Sequence, residues 1–188
     1  MTFNYLLDYA QDYRSDKDRR VFANDPYHTG SMNHHQAFSI PAGPILALDL
    51  GEKLVGLAVS DDRLVTIKRL SPLKRSNWKR LLQEIVTLIR RYDAQTVVIG
   101  LPLNLDGTSG EAATKARQVA TNLARSIQQP VYLQDERLTS FEAMGNLKAE
   151  GHKPEDIPGL IDGEAAAMIL RDFIQVDQDR ILVAPNPR

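Results

Sequence analysis

The chain has no cysteine, which excludes a disulfide framework, a thiol nucleophile and any zinc site built on cysteine. That absence fits a reducing compartment such as the cytosol. Net charge is nearly absent too: 23 Lys and Arg against 24 Asp and Glu leave −1. With no global field to attract nucleic acid, such binding has to come from a local patch. No apolar run approaches the roughly 20 residues of a membrane helix. The first residues, Met-Thr-Phe-Asn-Tyr-Leu-Leu-Asp-Tyr, lack the basic start and apolar core of a signal peptide. A soluble, cytoplasmic protein with no membrane partner is expected. At 188 residues the chain accommodates one domain plus an extension, and two full domains would be cramped.

Residues 1–43 read as an N-terminal extension, polar and without periodicity from about residue 24, and ending in Ile-Pro-Ala-Gly. His28, His34 and His35 lie in it, and a His-His pair in such an arm is far more often surface than metal site. Regular patterning begins at Ile45. Residues 45–62, Ile-Leu-Ala-Leu-Asp-Leu-Gly-Glu-Lys-Leu-Val-Gly-Leu-Ala-Val-Ser-Asp-Asp, read as two apolar strands joined by a tight turn at Gly51. Asp49 sits near the end of the first strand. It either caps the turn through the N–H groups of Gly51 or Glu52, or serves as a metal or phosphate ligand at the sheet's edge.

A third strand is expected over 65–70, broken by Ser71-Pro72, followed by a helix from Trp78 with Ser76 or Asn77 as cap. Residues 96–100 predict a strand buried on both faces. The loop 101–110 follows, with Thr108 and Glu111 at capping-box spacing for a helix burying Ala112, Ala116, Val119, Ala120, Leu123 and Ile127. Residues 131–133 predict a further strand ending at Asp135-Glu136-Arg137. Thr139 and Glu142 suggest a second capping box, residues 151–159 a loop, and the last helix is expected from near Asp162 to about Ile174. The domain is placed at 44–176, with 177–188 as a tail. The order βββ-α-β-α-β-α-α describes an α/β fold with a mixed five-stranded sheet, an antiparallel meander plus parallel strands, flanked by helices.

Right-handed crossovers set the later strands parallel to the first, so their carboxyl ends share one rim, where open α/β sheets hold ligands. Asp49 and Asp135-Glu136 belong to that rim. Asp162 joins them, because offsets of three, four, seven and eight place it on the inward stripe of Ala165, Ala166, Ile169 and Leu170. Taken alone, Asp162 is also what a helix dipole favours at an N-terminus. Crowded carboxylates drift toward protonation unless a divalent cation holds them together, and hard oxygen ligands suit Mg²⁺ or Mn²⁺. Two such ions support phosphodiester cleavage.

These segments carry a resemblance. Asp49-Leu-Gly51 with Gly56-Leu-Ala-Val-Ser-Asp61, Gly100-Leu-Pro-Leu-Asn104 with Asp106-Gly107, Asp135-Glu-Arg-Leu-Thr139, and Ile161-Asp162 with Ala165-Ala-Ala and Ile169-Leu170 together resemble the YqgF (RuvX) family. The likeness spans 45 to about 174. It implies an RNase H-like fold, divalent-metal phosphodiester hydrolysis, and Asp49, Glu136 and Asp162 as catalytic and metal-holding residues. It also implies an RNA partner, the 16S rRNA precursor processed at its 5′ end, with the small ribosomal subunit or branched DNA as further partners. Two positions depart from the family: Leu54 stands where it usually carries Arg, and Glu155-Asp156 precede the last acidic position where it is often basic.

Substrate contacts are expected from Asn104, Arg137, Lys74 and Arg75. Asn104 is either a phosphate ligand or a turn former. Arg137 either clamps a phosphate or pairs with Asp135 or Glu142. Lys68, Arg69, Lys74, Arg75, Lys79 and Arg80 form a basic run with no acidic residue between Asp62 and Glu84, and Trp78 within it either stacks on a base or packs its helix. Four functions compete: a ribosomal-RNA nuclease, a Holliday junction resolvase, a phosphoryl-transfer domain of the actin type, and a binding module whose acidic site has lost activity. Resolvases are commonly symmetric dimers, whereas this sequence predicts a monomer or weak dimer. The actin-type enzymes need two domains, and this chain has room for one.

Overall fold

The computed structural model describes residues 41–104, 106–136, 145–153, 157–175 and 180–183. Its strands are β1 (Ile45–Leu50), β2 (Leu54–Ser60), β3 (Ile67–Lys74), β4 (Thr96–Leu101), β5 (Val131–Asp135) and β6 (Arg180–Leu182). The helices are α1 (Trp78–Tyr92), α2 (Glu111–Ala124) and α3 (Ile157–Gln175), and residues 145–149 are also helical. Sheet order is β3-β2-β1-β4-β5-β6. β1, β4 and β5 run parallel, while β2, β3 and β6 are antiparallel to their neighbours. This mixed sheet with helices on both faces is an RNase H-like architecture, with six strands rather than the five expected.

Alternation along β1 sorts the core. Leu46 and Leu48 face a large cluster built with Leu81, Ile85 and Ile89 of α1 and Ala113, Ala116, Ala120 and Leu123 of α2. Ile45 and Ala47 face the other way, with Ala58 and Val98, onto Ala166, Ala167, Ile169, Leu170 and Phe173 of α3. Four alanines on this second face let α3 lie close against the sheet, and Ile169, Leu170 and Phe173 fill the rest of it. Phe173 is fully buried, and its ring meets Tyr132 at 5.2 Å between centroids. Truncating such a side chain costs roughly 3–5 kcal/mol. Among the described residues, no helix is long and apolar enough to cross a membrane.

The sequence reading and the structure differ where proline, glycine or short length hides an element. β3 runs on through Ser71-Pro72 to Lys74. It is an edge strand, where a missing N–H is tolerated, and the register shifts between Val55 and Leu57 to absorb the irregularity. Helix α3 begins at Ile157, so 157–159 are helical rather than loop and Asp162 is interior to the helix. Pro158 suits a first turn, whose N–H groups have no intrahelical acceptor. β6 comes from the stretch read as tail. Three residues suffice because Arg180 donates to the Phe173 carbonyl oxygen at 2.7 Å and to that of Ile174 at 3.2 Å, closing the end of α3.

Capping divides in the same way. Asn77 Oδ1 accepts the Arg80 N–H at 3.1 Å and starts α1 as expected. Thr108 does not cap α2, whose N-cap is Gly110 with no side-chain bond. The Thr108 hydroxyl instead donates to Asp106 Oδ1 at 2.6 Å inside its own loop. The apolar stripe of α2 is shifted accordingly, with Ala113 buried and Ala112 exposed. The capping box at Thr139 and Glu142 lies outside the described residues.

Candidate active site

Three carboxylates meet at the carboxyl ends of the parallel strands. Asp49 occupies the fifth position of β1 and faces the α3 side, paired across with Gly56. The turn after it is closed by main chain: the Gly51 N–H donates to the Asp49 carbonyl oxygen at 3.2 Å. The Gly51 N–H is thus taken by main chain and not by the Asp49 carboxylate. Glu136 follows β5, and its N–H donates to the Leu101 carbonyl oxygen at 3.2 Å. Asp162 projects from the second turn of α3.

Two glycines make the gathering possible. A Cβ on Gly56 would fall on the carbonyl oxygen of Asp162, so only glycine lets α3 lie this close to β2. On Gly100 of β4 a Cβ would collide with Oε2 of Glu136 and come within 2.6 Å of Ile169 Cδ1. Since β4 lies between β5 and β1, the empty face of Gly100 is where Glu136 leans across toward Asp49. Strands are about 4.8 Å apart, so the long glutamate side chain spans what two backbones separate.

The electrostatics follow from that crowding. Burial, then the Asp162 charge, pushes the Asp49 carboxyl up from an ordinary 3.8 to about 6. Burial, then Asp49, then Asp135, pushes Glu136 from 4.5 to about 8. Each group resists ionisation because burial and a neighbouring like charge both penalise its charged form. The donor set, all carboxylate oxygen, suits a hard divalent ion and not zinc. Among the described residues, no three His, Cys, Asp or Glu side chains are already drawn together as an ion cage. Asp49 is the common neighbour, close enough to feel the charge of Asp162 and to act on Glu136.

The expected substrate contacts fare unequally. Lys74 is exposed at the end of β3, opposite Leu54, on the face that also carries Gly56 and Ala58. That places it two strands from β1 at the carboxylate rim. Arg75 donates through Nη1 to the Gly51 carbonyl oxygen at 2.7 Å and through its N–H to Lys53 at 2.8 Å, holding the turn beside Asp49. Asn104 is tied into its loop: Nδ2 donates to Thr108 Oγ1 at 2.8 Å, and its N–H donates to the Thr108 carbonyl oxygen at 2.9 Å. The turn-former alternative is the geometry seen. Trp78 packs against the α1 side of the core. Arg137 lies outside the described residues.

Sequence reasoning missed Glu164, which is fully buried, and Arg117, buried on the inner face of α2 with Nη2 3.5 Å from Ser109 Oγ. Charged residues just off an apolar stripe read as solvated, and no sequence signal distinguished these two. The steric roles of Gly56 and Gly100 were hidden as well, since both glycines appeared only as parts of motifs.

An RNase H-like sheet with carboxylates at the mouth of its parallel strands defines the class: a nuclease. A family model described as "RuvX: Holliday junction resolvase" matches residues 43–176. The chain belongs to the RuvX family. A relative from Anaeromyxobacter sp. (strain Fw109-5), named "Putative pre-16S rRNA nuclease", is 42% identical over 129 residues, covering 69% of this chain and 94% of its own. One of the same name from Synechococcus elongatus is 34% identical over 140 residues, covering 74% and 94%. Among solved structures, T. thermophilus RuvC in complex with Holliday junction substrate aligns with a TM-score of 0.46 at 15% identity, covering 73% of this chain and 98% of that one.

Proposed function

We propose that this chain is a divalent-metal-dependent nuclease that cleaves structured RNA, processing the 5′ end of the 16S rRNA precursor in the cytoplasm. The observation that carries it is Glu136 leaning over Gly100 toward Asp49, with both carboxyls held above their ordinary range. The relatives' shared name supports the RNA substrate. Asp49, Glu136 and Asp162 would hold Mg²⁺ or Mn²⁺, which when bound lowers the pKa of water and stabilises the leaving oxygen.

The chain's own residues do the rest. Asp49 and Glu136 release their protons on loading, Asp162 closes the group from the helix side, and Gly100 keeps the space between them open. Lys74 at the rim takes a backbone phosphate; Arg75 positions the Asp49 turn and offers its remaining donors to the same strand. Asn104 holds the 101–110 loop beside the rim and reaches the substrate only through the Oδ1 left over from that turn, and Arg137 is the further candidate for a phosphate clamp. Residues 1–43 form an extension that assists docking on RNA or the small ribosomal subunit, and the enzyme acts as a monomer or weak dimer. Branched DNA is the second reading, favoured by the description of the family model.

Labelled 16S precursor and a DNA four-way junction, offered to wild type and Asp49→Asn in Mg²⁺, Mn²⁺ and chelator, test this. Metal-dependent RNA cleavage lost in the variant is expected. Cleavage of the junction alone transfers the activity to DNA. Equal RNA binding by both proteins with no cleavage anywhere leaves a binding module.

A further inference from the structure

Glu164 lies two residues beyond Asp162 on α3 and has no exposed surface. Three elements hold its carboxylate. Oε2 accepts from Arg69 Nη1 of β3 at 2.8 Å. Oε1 accepts from Arg171 Nη1, further along α3, at 3.0 Å, and from Asn146 Nδ2 of the 145–149 helix at 3.2 Å. Arg69 Nη1 donates as well to Glu150 Oε2 at 2.9 Å, and His152 Nε2 lies 3.2 Å from that oxygen. One carboxylate thus joins the helix that carries Asp162 to the edge strand and to the segment returning from the Glu136 side.

For stability alone this is a poor use of a buried position, since well-packed apolar residues commonly do as well or better than a buried ion pair. Directional bonds supply what apolar packing here does not. The large side chains of α3 on the sheet, Ile169, Leu170 and Phe173, lie further along the helix, whereas near Asp162 the contact is made by Gly56, Ala58 and Ala166, which give the first turns little to lock against. The Asp162 carbonyl oxygen rests on Gly56 with no side chain to stop it. We infer that Glu164 is a positioning residue: with Arg69 it fixes where the Asp162 turn of α3 sits on the sheet, and so how Asp162 faces Asp49. The inference rests on the functional reading of Asp162 given above.

The test uses the full chain with two variants: Glu164→Gln, which keeps the shape, and Glu164→Met/Arg69→Met, which replaces the ion pair by apolar groups. Three quantities are measured: amide hydrogen exchange of the peptide containing Asp162 in metal-free protein, Mn²⁺ affinity by calorimetry, and steady-state RNA cleavage. The double variant is expected to melt within a few degrees of wild type. Its Asp162 turn exchanges about 10-fold faster, Mn²⁺ binds about 10-fold more weakly and kcat falls about 10- to 100-fold at little-changed KM, the scale seen when groups that orient metal ligands are removed. Glu164→Gln, retaining hydrogen-bond acceptance, falls between. A double variant with wild-type exchange at Asp162, wild-type Mn²⁺ affinity and wild-type kcat overturns the inference. Should wild type neither bind Mn²⁺ nor cut RNA, the proposed function fails, while exchange at the Asp162 turn still decides positioning.

Discussion

Glu136 and Glu164 are the same chemical group in opposite circumstances. Glu164 is the more deeply buried, yet two guanidinium groups and an amide surround it. Glu136 is only partly covered, its neighbours include Asp49 and Asp135, and its carboxyl is pushed up to about 8. Burial raises the cost of charge at Glu136, and the carboxylates beside it add to that cost, whereas the neighbours of Glu164 are hydrogen-bond donors. A compensated carboxylate holds elements together. Carboxylates crowded together raise one another's cost of ionisation.

Removing a rim carboxylate should produce the largest effect. Asp49→Asn is expected to lower cleavage by about 10³-fold, several kcal/mol of transition-state stabilisation, while leaving the fold intact. Circular dichroism and a thermal melt alongside the assay verify the second half. An Asp49→Asn protein that cuts RNA normally would erase the distinction drawn between the two carboxylate groups. Gly100→Ala comes next, because it alters no charge at all. The added methyl occupies the place of the Glu136 carboxylate and crowds Ile169, costing about 1–3 kcal/mol of stability. Displacing Glu136 by about 1 Å is worth roughly 100-fold in kcat, read by cleavage assay beside a denaturant titration.

The pH dependence of the metal-free protein sharpens the same contrast. Asp49 and Glu136 keep their protons in the folded state to about 6 and about 8, whereas the unfolded chain releases them near 3.8 and 4.5. Between these limits the folded state binds more protons, so stability falls as pH rises. The full stability is present below about pH 4, and several kcal/mol, on the order of 5, are lost progressively by pH 8. Urea unfolding across that range measures it. Saturating Mn²⁺ should flatten the profile, and Glu136→Gln should melt roughly 10 °C above wild type at pH 8 without metal, with no advantage at pH 4. A flat profile in wild type would show that the rim carboxylates are compensated after all.

How much of this was legible depended on which signal each residue sends. The short apolar runs on either side of Gly51 and the β-branched run at 96–99 revealed the central strands and put Asp49 near the end of the first, while the face it takes needed the sheet itself. Helical spacing placed Asp162 inward although its helix starts five residues earlier, because period and start are independent pieces of information. Glu164 was invisible: its partners Arg69 and Asn146 are far away in the chain, and a single glutamate beside an alanine stripe looks solvated. The space above Gly100 was equally hidden, since a missing Cβ leaves no mark until the neighbouring strand is known. β6 escaped because three residues carry no period, and its stability comes from Arg180 closing α3 rather than from its own pattern.

The smallest effect concerns Leu54, paired with Lys74 on the rim face of β2. Leu54→Arg adds one cation beside Lys74 without touching the three carboxylates. Because Leu54 is partly exposed at a strand end, an arginine stem can lie along the same apolar surface with its head in water, and stability should change by less than about 0.5 kcal/mol. RNA affinity at low salt should rise a few-fold, and the slope of log affinity against log salt should steepen by about 0.7–0.9, the value of one additional phosphate contact. Filter binding across a salt series reads both. If the slope stays fixed while affinity rises, the gain comes from the arginine stem and not from a phosphate, and the substrate strand does not pass over the β2–β3 edge of the rim. A steeper slope with unchanged kcat places the strand there and separates what binds the substrate, the cations at the β3 end of the rim, from what cuts it, the carboxylates at the ends of β1 and β5 and on α3.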